Sequence, residues 1–225
     1  MHLKWSDPLD IPILFADPHF VVLNKPAGLA VHPGPAGGPS VEDWFPALSK
    51  RRDGPWLAHR LDADTAGCLV VALRKAALIA AQAEFAAHRA HKIYWAVVEG
   101  EPATESGTIA LPLLKRQDRT GWRMVVDPAG QASVTDWRVL GRAPGRAWLE
   151  LSPRTGRTHQ LRVHCAHEGW PILGDPLYGT GDSLHLLARS IRLDLTPPLE
   201  ATAPPPQAML KALVACGYQA LASAS

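Results

Sequence analysis

The segment 58-AHRLDADTAG-67 places charged side chains of both signs in a short stretch between apolar runs. Arg60 comes two residues before Asp62, and Asp64 follows two residues later. An ionised carboxylate can attack an electrophilic carbon or remove a proton, and a nearby guanidinium favours the ionised form. Only one aspartate can be the reacting group, and the alternative is an ordinary turn with a surface ion pair. Because a buried strand is expected directly afterwards, we favour a functional loop.

A second segment, 153-PRTGRTHQLRVHCAHEGWPILGDPLYG-179, is dense in cationic and polar side chains. It contains Arg154, Arg157, His159, Gln160, Arg162 and His164, followed by a turn with Asp175 and Tyr178. Arginine binds phosphate oxygens in a bidentate geometry. A carboxylate in one segment and arginines in another therefore suit a site for an anionic polymer.

A third group of basic residues lies in the loop that we predict between strands at 107–113 and 122–126. Its members are Lys115, Arg116, Arg119 and Arg123, with Trp122 beside them. Basic side chains next to an aromatic ring are typical of nucleic-acid contacts, and a solvated loop is the alternative. The formal net charge is only +2, so a polyanion would have to be bound through such local clusters.

Several other kinds of site are not supported by the sequence. The loop 34-GPAGGPS-40 lacks the GK[ST] ending of a phosphate-binding loop, and no GxSxG nucleophile motif occurs. A metal site is suggested by His159, His164, Cys165 and His167. Their spacing does not bring them onto one helix face, so we expect no metal and assign the imidazoles to packing and hydrogen bonding.

The composition indicates a globular chain. Hydrophobic residues make up 47% and charged residues 20% of the 225 positions, which is enough to bury a core. The three cysteines are far apart, which argues against disulfides. No secretory signal and no apolar run of membrane-spanning length is found, so we expect a cytoplasmic protein without membrane contact.

The elements that would position these segments are predicted as runs of strands with few helices. Strands are predicted at 13–16, 20–24, 68–74, 92–98, 107–113, 122–126, 133–140, 147–152, 184–188 and 190–195. Helices are predicted after Ser40 with Asp43 in the cap, at 75–90, at 158–169 with Thr158 as N-cap, and at 207–216. This order favours an α+β fold with a large, mostly antiparallel mixed β-sheet flanked by helices and loops. No long linker occurs, so we expect one domain over 1–225.

Three segments in this order resemble the RluA-type RNA pseudouridine synthases. They are 21-VVLNKPAGLAVHPG-34, then 59-HRLDADTAG-67, which matches the pattern HRLD-x-x-T-[SA]-G, and then the 153–179 segment. Between them, 92-KIYWAVVEG-100 is similar to the family's K-x-Y-x-A-x-V-x-G strand. The resemblance covers about residues 12 to 205 and implies the pseudouridine synthase fold in a single catalytic domain.

The resemblance implies roles for the matching residues. Asp62 resembles the catalytic aspartate, and Arg60 resembles the arginine that fills the space left in the RNA when the target base flips out. Tyr94 resembles the tyrosine that stacks on that base and helps with proton transfer, and Arg162 resembles the arginine that pairs with the catalytic carboxylate. Asp64 falls at a variable position and receives no role. We expect RNA contacts from His59, Arg60, Lys115, Arg116, Arg119, Arg157, His159 and Gln160.

The implied activity is the isomerisation of a uridine in structured ribosomal or transfer RNA to pseudouridine. Nothing is oxidised and no energy is consumed, so we expect no cofactor. The target base must leave its stack to be reached. We expect a monomer that acts on an RNA stem-loop, without the N-terminal S4 domain that many relatives carry.

Two positions depart from the family pattern. Ala66 stands where serine is usual, a change between small residues that should be tolerated. Leu187-Ala188-Arg189 stands where many members have Leu-His-Ala, so any role of that histidine is absent or taken by another residue.

Two alternatives to an isomerase stay open. The first is an RNA-binding protein on the same scaffold without catalysis, against which the retention of Asp62, Tyr94 and Arg162 argues. The second is a hydrolase of nucleosides or glycosides that uses Asp62 and Asp64 as a carboxylate pair.

Overall fold

The computed structural model describes residues 11–34, 37–51, 53–119 and 121–219. The chain divides into two compact units. The first unit consists of Met1–Lys92 and Ala188–Pro204, and the second consists of Ile93–Leu187 and Pro205–Ser225. Each unit is therefore built from two separate stretches of sequence.

Strands outnumber helices in the described ranges. The strands are β1 Ile13–Ala16, β2 Phe20–Lys25, β3 Trp56–Leu57, β4 Ala66–Ala72, β5 His91–Glu99, β6 Ser106–Ala110, β7 Leu113–Asp118, β8 Gly121–Val126, β9 Val134–Ala143, β10 Arg146–Pro153, β11 Leu186–Leu193 and β12 Leu199–Thr202. The α-helices are α1 Phe45–Leu48, α2 Lys75–Ala86, α3 Gln160–His167 and α4 Gln207–Ala215. A 3₁₀ turn at Val41–Trp44 leads into α1.

The first unit is built around β4. Strand β2 pairs antiparallel with β1 on one side and with β4 on the other. β4 is buried along its whole length, as its apolar sequence AGCLVVA requires. β3 adds a short antiparallel pair to β4, and β12 pairs with β11. Thr65, the residue that precedes β4, is buried as well, so the loop before β4 meets the core at this residue.

Two aspartates in the first unit form the local hydrogen bonds that the sequence predicts. Between β1 and β2, Asp17 Oδ1 accepts hydrogen bonds from the backbone N–H groups of His19 (2.7 Å) and Phe20 (2.6 Å). At the start of the 3₁₀ turn, the Ser40 N–H donates to the Asp43 carboxylate over 2.8 Å. The predicted turn and the predicted cap by Asp43 are confirmed, because both depend only on neighbours in sequence.

In the second unit, α3 packs against a β-sheet on one side and a β-hairpin on another. Strands β5, β10, β9 and β6 lie side by side in that order, all antiparallel, while β7 and β8 pair with each other as a hairpin. Leu161 and Cys165, one helical turn apart, belong to the core cluster of the sheet. Val163 on another side of α3 packs against Leu113 and Met124 of the hairpin. The orientation of α3 is thus fixed by contacts on two of its faces.

The antiparallel strands and the few helices confirm the predicted α+β class. Helix α2 confirms the helix predicted from the alanine-rich stretch, although it ends at Ala86. The expectation of one catalytic domain stays a prediction. In the described ranges, no helix is both long and apolar enough to cross a membrane.

The structure differs from the prediction at three places. The basic residues predicted to lie in a loop at 115–123 instead lie mostly in the paired strands β7 and β8. The strands predicted at 184–188 and 190–195 are the single strand β11, and β12 was missed. Helix α3 begins at Gln160, and its N-cap is His159 with a left-handed φ of 52°, not Thr158. Cross-strand pairing and a left-handed residue are set by tertiary contacts, which local pattern does not contain.

The bulge in β9 provides a test of how α4 is seated in the second unit. The register between β9 and β10 shifts between Trp148 and Leu149, and Gly141 lies opposite Trp148. A Cβ at Gly141 would overlap the carbonyl oxygen of Cys216 at the end of α4. We expect Gly141→Ala to lower the free energy of unfolding by about 1–3 kcal/mol, measured by urea denaturation.

Gly34→Ala is the matched control. Among the described residues, leaving out its chain neighbours, no atom lies within 4 Å of the position where its Cβ would be placed. Its stability should stay within about 0.5 kcal/mol of the parent protein. Equal stability of both variants would show that α4 is not seated against β9 in this way.

Candidate functional site

The loop that carries Asp62 connects β3 to β4 and is closed at its base by main-chain pairing. Trp56 lies opposite Ala72 and Leu57 opposite Val71. The pairing continues for one more residue, since the Ala58 N–H donates to the Val70 carbonyl over 3.0 Å. Residues 59–65 are therefore a loop of fixed span whose two ends lie side by side.

His59 attaches this loop to the core through its side chain. Its Nε2 accepts a hydrogen bond from the Val70 N–H over 3.0 Å, and its ring packs against Phe85 of α2 with 5.1 Å between ring centroids. Burial lowers the pKa of His59 to about 4, helped by the positive charge of Lys92 and opposed by a backbone hydrogen bond at Arg60. The ring is therefore neutral at pH 7, with Nε2 as acceptor. Its predicted contact with RNA would compete with these interactions.

Asp62 lies at the open end of the loop. Its side chain is half-buried, whereas Arg60 is exposed and Thr65 is buried. The Thr65 N–H donates to the Asp62 carbonyl over 3.1 Å, which closes a tight turn around Ala63 and Asp64. The turn holds the Asp62 carboxylate at the boundary between the core and the surface, where a substrate can reach it.

A buried lysine ties the turn to the loop after β2. Lys25 is 0% exposed, and its Nζ donates to the carbonyl oxygens of Pro26 (2.8 Å), Leu29 (2.8 Å) and Ala63 (2.7 Å). The Ala63 carbonyl also accepts the Gly28 N–H over 2.9 Å. Two loops that are far apart in sequence are thus joined directly beside Asp62.

Burial and the neighbouring polar groups act in opposite directions on the charge of Lys25. Burial lowers the pKa of Lys25 to about 7, and the charges of Asp64 and Asp62 act in the opposite direction. An ammonium group has three N–H donors, which match the three carbonyl oxygens, whereas a neutral amine has only two. At neutral pH the hydrogen bonds therefore favour an ammonium group behind the turn.

In the second unit, Arg162 forms a buried ion pair. Its Nε and Nη2 donate to the two oxygens of Asp175 over 2.8 and 2.7 Å, and the two side chains are 3% and 0% exposed. The N–H groups of Leu177 and Tyr178 donate to the same carboxylate. Burial acts to raise the pKa of Asp175, but the guanidinium and these N–H groups outweigh it and hold the pKa below its usual value. Arg162 is therefore fixed in position by two of its five donors.

Gln160 organises the loop before α3. Its Oε1 accepts from the Thr155 hydroxyl (2.7 Å) and the Arg157 N–H (3.0 Å). Its Nε2 donates to the Val134 carbonyl (3.0 Å) and the Thr135 hydroxyl (2.9 Å). These four bonds use the full capacity of a side-chain amide. The predicted contact of Gln160 with RNA would require one of them to break.

His159 is held in an unusual backbone conformation at the start of α3. Its φ of 52° lies in the left-handed region, which costs a residue other than glycine about 1 kcal/mol or more. Its Nδ1 is hydrogen-bonded to the Tyr178 hydroxyl over 2.8 Å, and its ring stacks on Trp122 at 5.1 Å and 26°. Tyr178 also accepts the Met124 N–H over 2.9 Å. These contacts place the His159 side chain beside the hairpin.

The basic residues of the hairpin are divided between its two faces. In the register of β7 and β8, Lys115 lies opposite Met124, and Arg116 lies opposite Arg123. Because side chains alternate along a strand, Lys115 and Arg116 point to opposite sides. Arg116 is ion-paired with Asp127 over 2.9 Å. The cluster that looked continuous in the sequence is therefore not one surface.

Lys115 and Arg119 are exposed at the outer part of the hairpin. The Lys115 Nζ lies 4.6 Å from the centre of the Trp122 ring, within the range of a cation–π contact. Arg157, before α3, donates from its Nε to the Ala132 carbonyl over 3.2 Å. The predicted RNA-contacting residues of the second unit thus include exposed cations as well as side chains used for internal bonds.

Tyr94 lies in β5 opposite Leu151 of β10. It is half-buried and packs against the core cluster of the sheet, which includes Leu149 and Leu161. This environment is what the sequence alone suggests for a strand aromatic. The packing fixes the ring of Tyr94 without burying it completely.

On α3, His164 has the packing and hydrogen-bonding role expected from the sequence, whereas His167 is exposed. His164 is 0% exposed, with Nε2 3.0 Å from the Ser133 hydroxyl and Nδ1 2.9 Å from the Thr135 hydroxyl. Burial raises the pKa of the neighbouring Cys165 thiol. Among the residues that the structure describes, no group of three His, Cys, Asp or Glu side chains is arranged to hold a metal ion.

The sequence matches a known family over most of its length. The family model described as RNA pseudouridylate synthase covers residues 19–167. The chain belongs to the RNA pseudouridylate synthase family. The members of this family are isomerases that act on RNA. The match includes both the Asp62 loop and the arginine-rich start of α3.

Relatives in bacteria support the same assignment. An uncharacterized RNA pseudouridine synthase of Zymomonas mobilis is 39% identical over 208 residues, which is 87% of this chain and 94% of the relative. One from Synechocystis is 40% identical over 189 residues, covering 80% of this chain and 57% of the relative. The ribosomal large subunit pseudouridine synthase D of Zymomonas mobilis is 37% identical over 193 residues, covering 80% and 60%. The chain thus spans less than two thirds of the last two.

Two solved structures of RNA pseudouridylate synthases have the same fold. Human RNA pseudouridylate synthase domain containing 4 has a TM-score of 0.76 at 30% identity, over 91% of this chain and 92% of that chain. Human RNA pseudouridylate synthase domain containing 1 has a TM-score of 0.76 at 28% identity, over 95% and 90%. The predicted pseudouridine synthase fold is confirmed.

The structure adds residues that the sequence analysis gave no role. Lys25 and Asp175 are the buried charges that fix the Asp62 loop and Arg162, and Tyr178 links His159 to the hairpin. One signal was present for Lys25, because a lysine that ends the apolar run FVVLN must find acceptors or stay charged in the core. The partner of a buried arginine cannot be identified from sequence in the same way.

The carbonyl oxygens of Pro26, Leu29 and Ala63 form a cage around the Lys25 ammonium group. This lysine cage predicts a large effect of Lys25→Met on stability. Methionine fills a similar volume but removes one hydrogen bond from each of three carbonyl oxygens, so the free energy of unfolding should fall by about 3 kcal/mol. Urea denaturation measures this change. Lys75→Met, at an exposed position on α2, should stay within about 0.5 kcal/mol of the parent. Similar stabilities of the two variants would contradict the cage.

The His59 environment predicts a pH dependence of stability. The pKa of His59 is about 4 in the folded protein, against the ordinary value of 6.5 that the unfolded chain keeps, so below pH 6.5 the unfolded chain binds more protons. Stability should therefore fall by about 2 kcal/mol as the pH drops from 6.5 towards 4. His59→Gln keeps an acceptor for the Val70 N–H but cannot titrate, so its urea-denaturation profile should lose this part of the slope.

The exposed His19 supplies the control for this experiment. His19→Gln should keep the pH slope of the parent protein between pH 4 and 6.5. If His59→Gln and the parent lose stability in parallel over that window, the buried neutral imidazole is not the source of the slope.

Proposed function

We propose that the protein is an RNA pseudouridine synthase in which Asp62 is the catalytic carboxylate. The observation that carries this proposal is the anchored turn that holds Asp62 half-buried at the start of β4. A reacting group needs fixed geometry and access to substrate at the same time. The geometry of the loop is fixed by main-chain pairing and by the contacts of His59 and Lys25. Access to substrate is given by the open end of the loop.

The chemistry requires one bond to break and one to form within the same nucleoside. The C1′–N1 bond of uridine is cleaved, the base turns, and a C1′–C5 bond is made, after which C5 loses its proton and N1 carries one. Atoms and electrons balance within the substrate. A carboxylate serves this reaction either by adding to an electrophilic carbon or by removing a sugar proton. Both routes need Asp62 in its ionised form.

The roles proposed for the other residues rest on their motifs. For Tyr94 and Arg162 we propose stacking on the base and pairing with the catalytic carboxylate, as the family pattern implies. The half-buried ring of Tyr94 and the rigid guanidinium of Arg162 are compatible with such roles. For the exposed Arg60 we propose that it enters the RNA where the target base has flipped out.

The substrate that we propose is structured ribosomal or transfer RNA. Ribosomal RNA is favoured by relatives such as the ribosomal large subunit pseudouridine synthase D of Zymomonas mobilis and synthase C of Vibrio vulnificus. Exposed cations, including Lys115 and Arg119, would contact phosphates. Action as a monomer in the cytoplasm on an RNA stem-loop belongs to the same proposal.

Replacement of the reacting carboxylate is the decisive test. Asp62→Asn keeps the size of the side chain but removes its charge and basicity, so pseudouridine formation should fall by about 10⁴-fold or more. The assay maps pseudouridine in ribosomal and transfer RNA incubated with each purified protein. RNA affinity, measured in parallel, should change less than about threefold because the turn is kept.

Asp64→Asn is the matched control, since Asp64 is also half-buried and lies in the same turn. We expect it to retain activity within about tenfold of the parent. Full activity of Asp62→Asn would refute the assignment. Binding without any isomerisation by the parent protein would instead favour the non-catalytic RNA-binding alternative, and release of free uracil would favour a hydrolase.

A further inference from the structure

The two faces of the β7–β8 hairpin differ in the side chains that they carry. Its register places Lys115, Gln117, Trp122 and Met124 on the same side. The inner part of this side is buried, since Leu113 and Met124 pack against Val163 of α3. The outer part carries Trp122, which is 40% exposed, and the exposed Lys115. A rigid base therefore presents an aromatic ring and a cation to solvent.

Trp122 is held in place by contacts that leave it at the surface. Its ring stacks on His159 at 26°, and the Lys115 Nζ lies 4.6 Å from the ring centre. His159 is itself fixed by the hydrogen bond to the Tyr178 hydroxyl and by its left-handed backbone. Residues kept in a strained conformation concentrate at sites that bind or react. The arrangement orders a large apolar side chain and still leaves 40% of it exposed.

We propose that Trp122 and Lys115, supported by His159, form a stacking platform for an unpaired nucleotide of the RNA, separate from the target uridine. The inference rests on the proposed function only in taking RNA as the ligand. A base that stacks on an exposed aromatic ring gains about 1–3 kcal/mol, and a lysine next to that ring can bind the adjoining phosphate. The base of the bound nucleotide replaces Lys115 on the face of the Trp122 ring. The Lys115 ammonium group then binds the phosphate of that nucleotide.

The opposite face of the hairpin does not have this arrangement. There Arg116 lies opposite Arg123 and is ion-paired with Asp127. An unpaired nucleotide fits the Trp122 face better than a duplex does, because bases inside an A-form helix do not expose their flat faces. The platform therefore distinguishes loops and single strands from continuous double-stranded RNA.

The experiment measures binding by fluorescence anisotropy over a series of salt concentrations. The probes are a short labelled oligouridine and a labelled RNA duplex of the same length. Trp122→Ala should weaken oligouridine binding by about tenfold at every salt concentration, with an unchanged salt slope. Lys115→Gln should lower the salt slope by about 0.7. Duplex binding by Trp122→Ala should match that of the parent.

Three further variants separate the platform from general effects. Trp122→Phe keeps an aromatic face, so it should restore oligouridine binding to within about threefold of the parent. Val214→Ala removes another exposed apolar side chain, 55% exposed on α4, and should bind as the parent does. Arg146→Gln removes an exposed cation outside the hairpin and should leave the salt slope unchanged.

Three results would overturn the platform. They are a parent protein that does not bind oligouridine, a Trp122→Ala variant that binds it as tightly as the parent, and an equal loss of single-strand and duplex binding. None of these measurements requires isomerisation. Pseudouridine formation with unaltered binding by Trp122→Ala would refute the platform alone, and Trp122-dependent binding without pseudouridine formation would refute the proposed function alone.

Discussion

A single buried ammonium group determines where the Asp62 turn can lie. Burial of a lysine is unfavourable by several kcal/mol unless each of its donors finds an acceptor. Lys25 meets this condition only with the carbonyl oxygens of Pro26, Leu29 and Ala63 together. A shift of either loop would leave a donor or a carbonyl unmatched inside the protein. The cage therefore gives both loops one arrangement, and the half-buried carboxylate beside Ala63 inherits its position.

The second unit uses a buried charge in the same way. Arg162 and Asp175 satisfy each other, and the same carboxylate accepts the N–H groups of Leu177 and Tyr178. This orders the segment from which the Tyr178 hydroxyl reaches His159 and the Met124 N–H. The hairpin is thus connected to the buried ion pair through one tyrosine. Such pairs add little to stability compared with apolar side chains, so their effect here is on geometry.

Sequence predicted the features that depend on local pattern and missed those that depend on distant partners. The buried strand β4, the helix α2 and the turn at Asp17 follow from composition and neighbouring residues. The strand character of β7 was missed because its outer half is polar and becomes a strand only by pairing with β8. The acceptor Ala63 lies 38 residues from Lys25. No local pattern in either segment indicates that these two residues are in contact.

The family motif identified functional residues that are far apart in sequence, but it did not show which of them have internal partners. It assigned Asp62 and Arg162 from sequence alone, yet it treated all matching polar residues as equivalent candidates for RNA contact. The contacts divide them. The amide of Gln160 is fully used inside the protein, and His59 is a neutral acceptor for the core. A polar side chain in a motif therefore contacts substrate only if its hydrogen-bonding capacity is not already filled.

The distribution of positive charge limits how this surface can recognise RNA. With a formal net charge of +2, long-range attraction is weak, and Arg162 and Lys25 are buried and matched by internal partners. On the hairpin, the ion pair with Asp127 reduces the charge that Arg116 can offer. Affinity must then come from short-range contacts made after encounter, in which shape and stacking contribute more than net charge. In the proposal made above, such a surface selects RNA by the unpaired bases that it displays as well as by phosphate contacts.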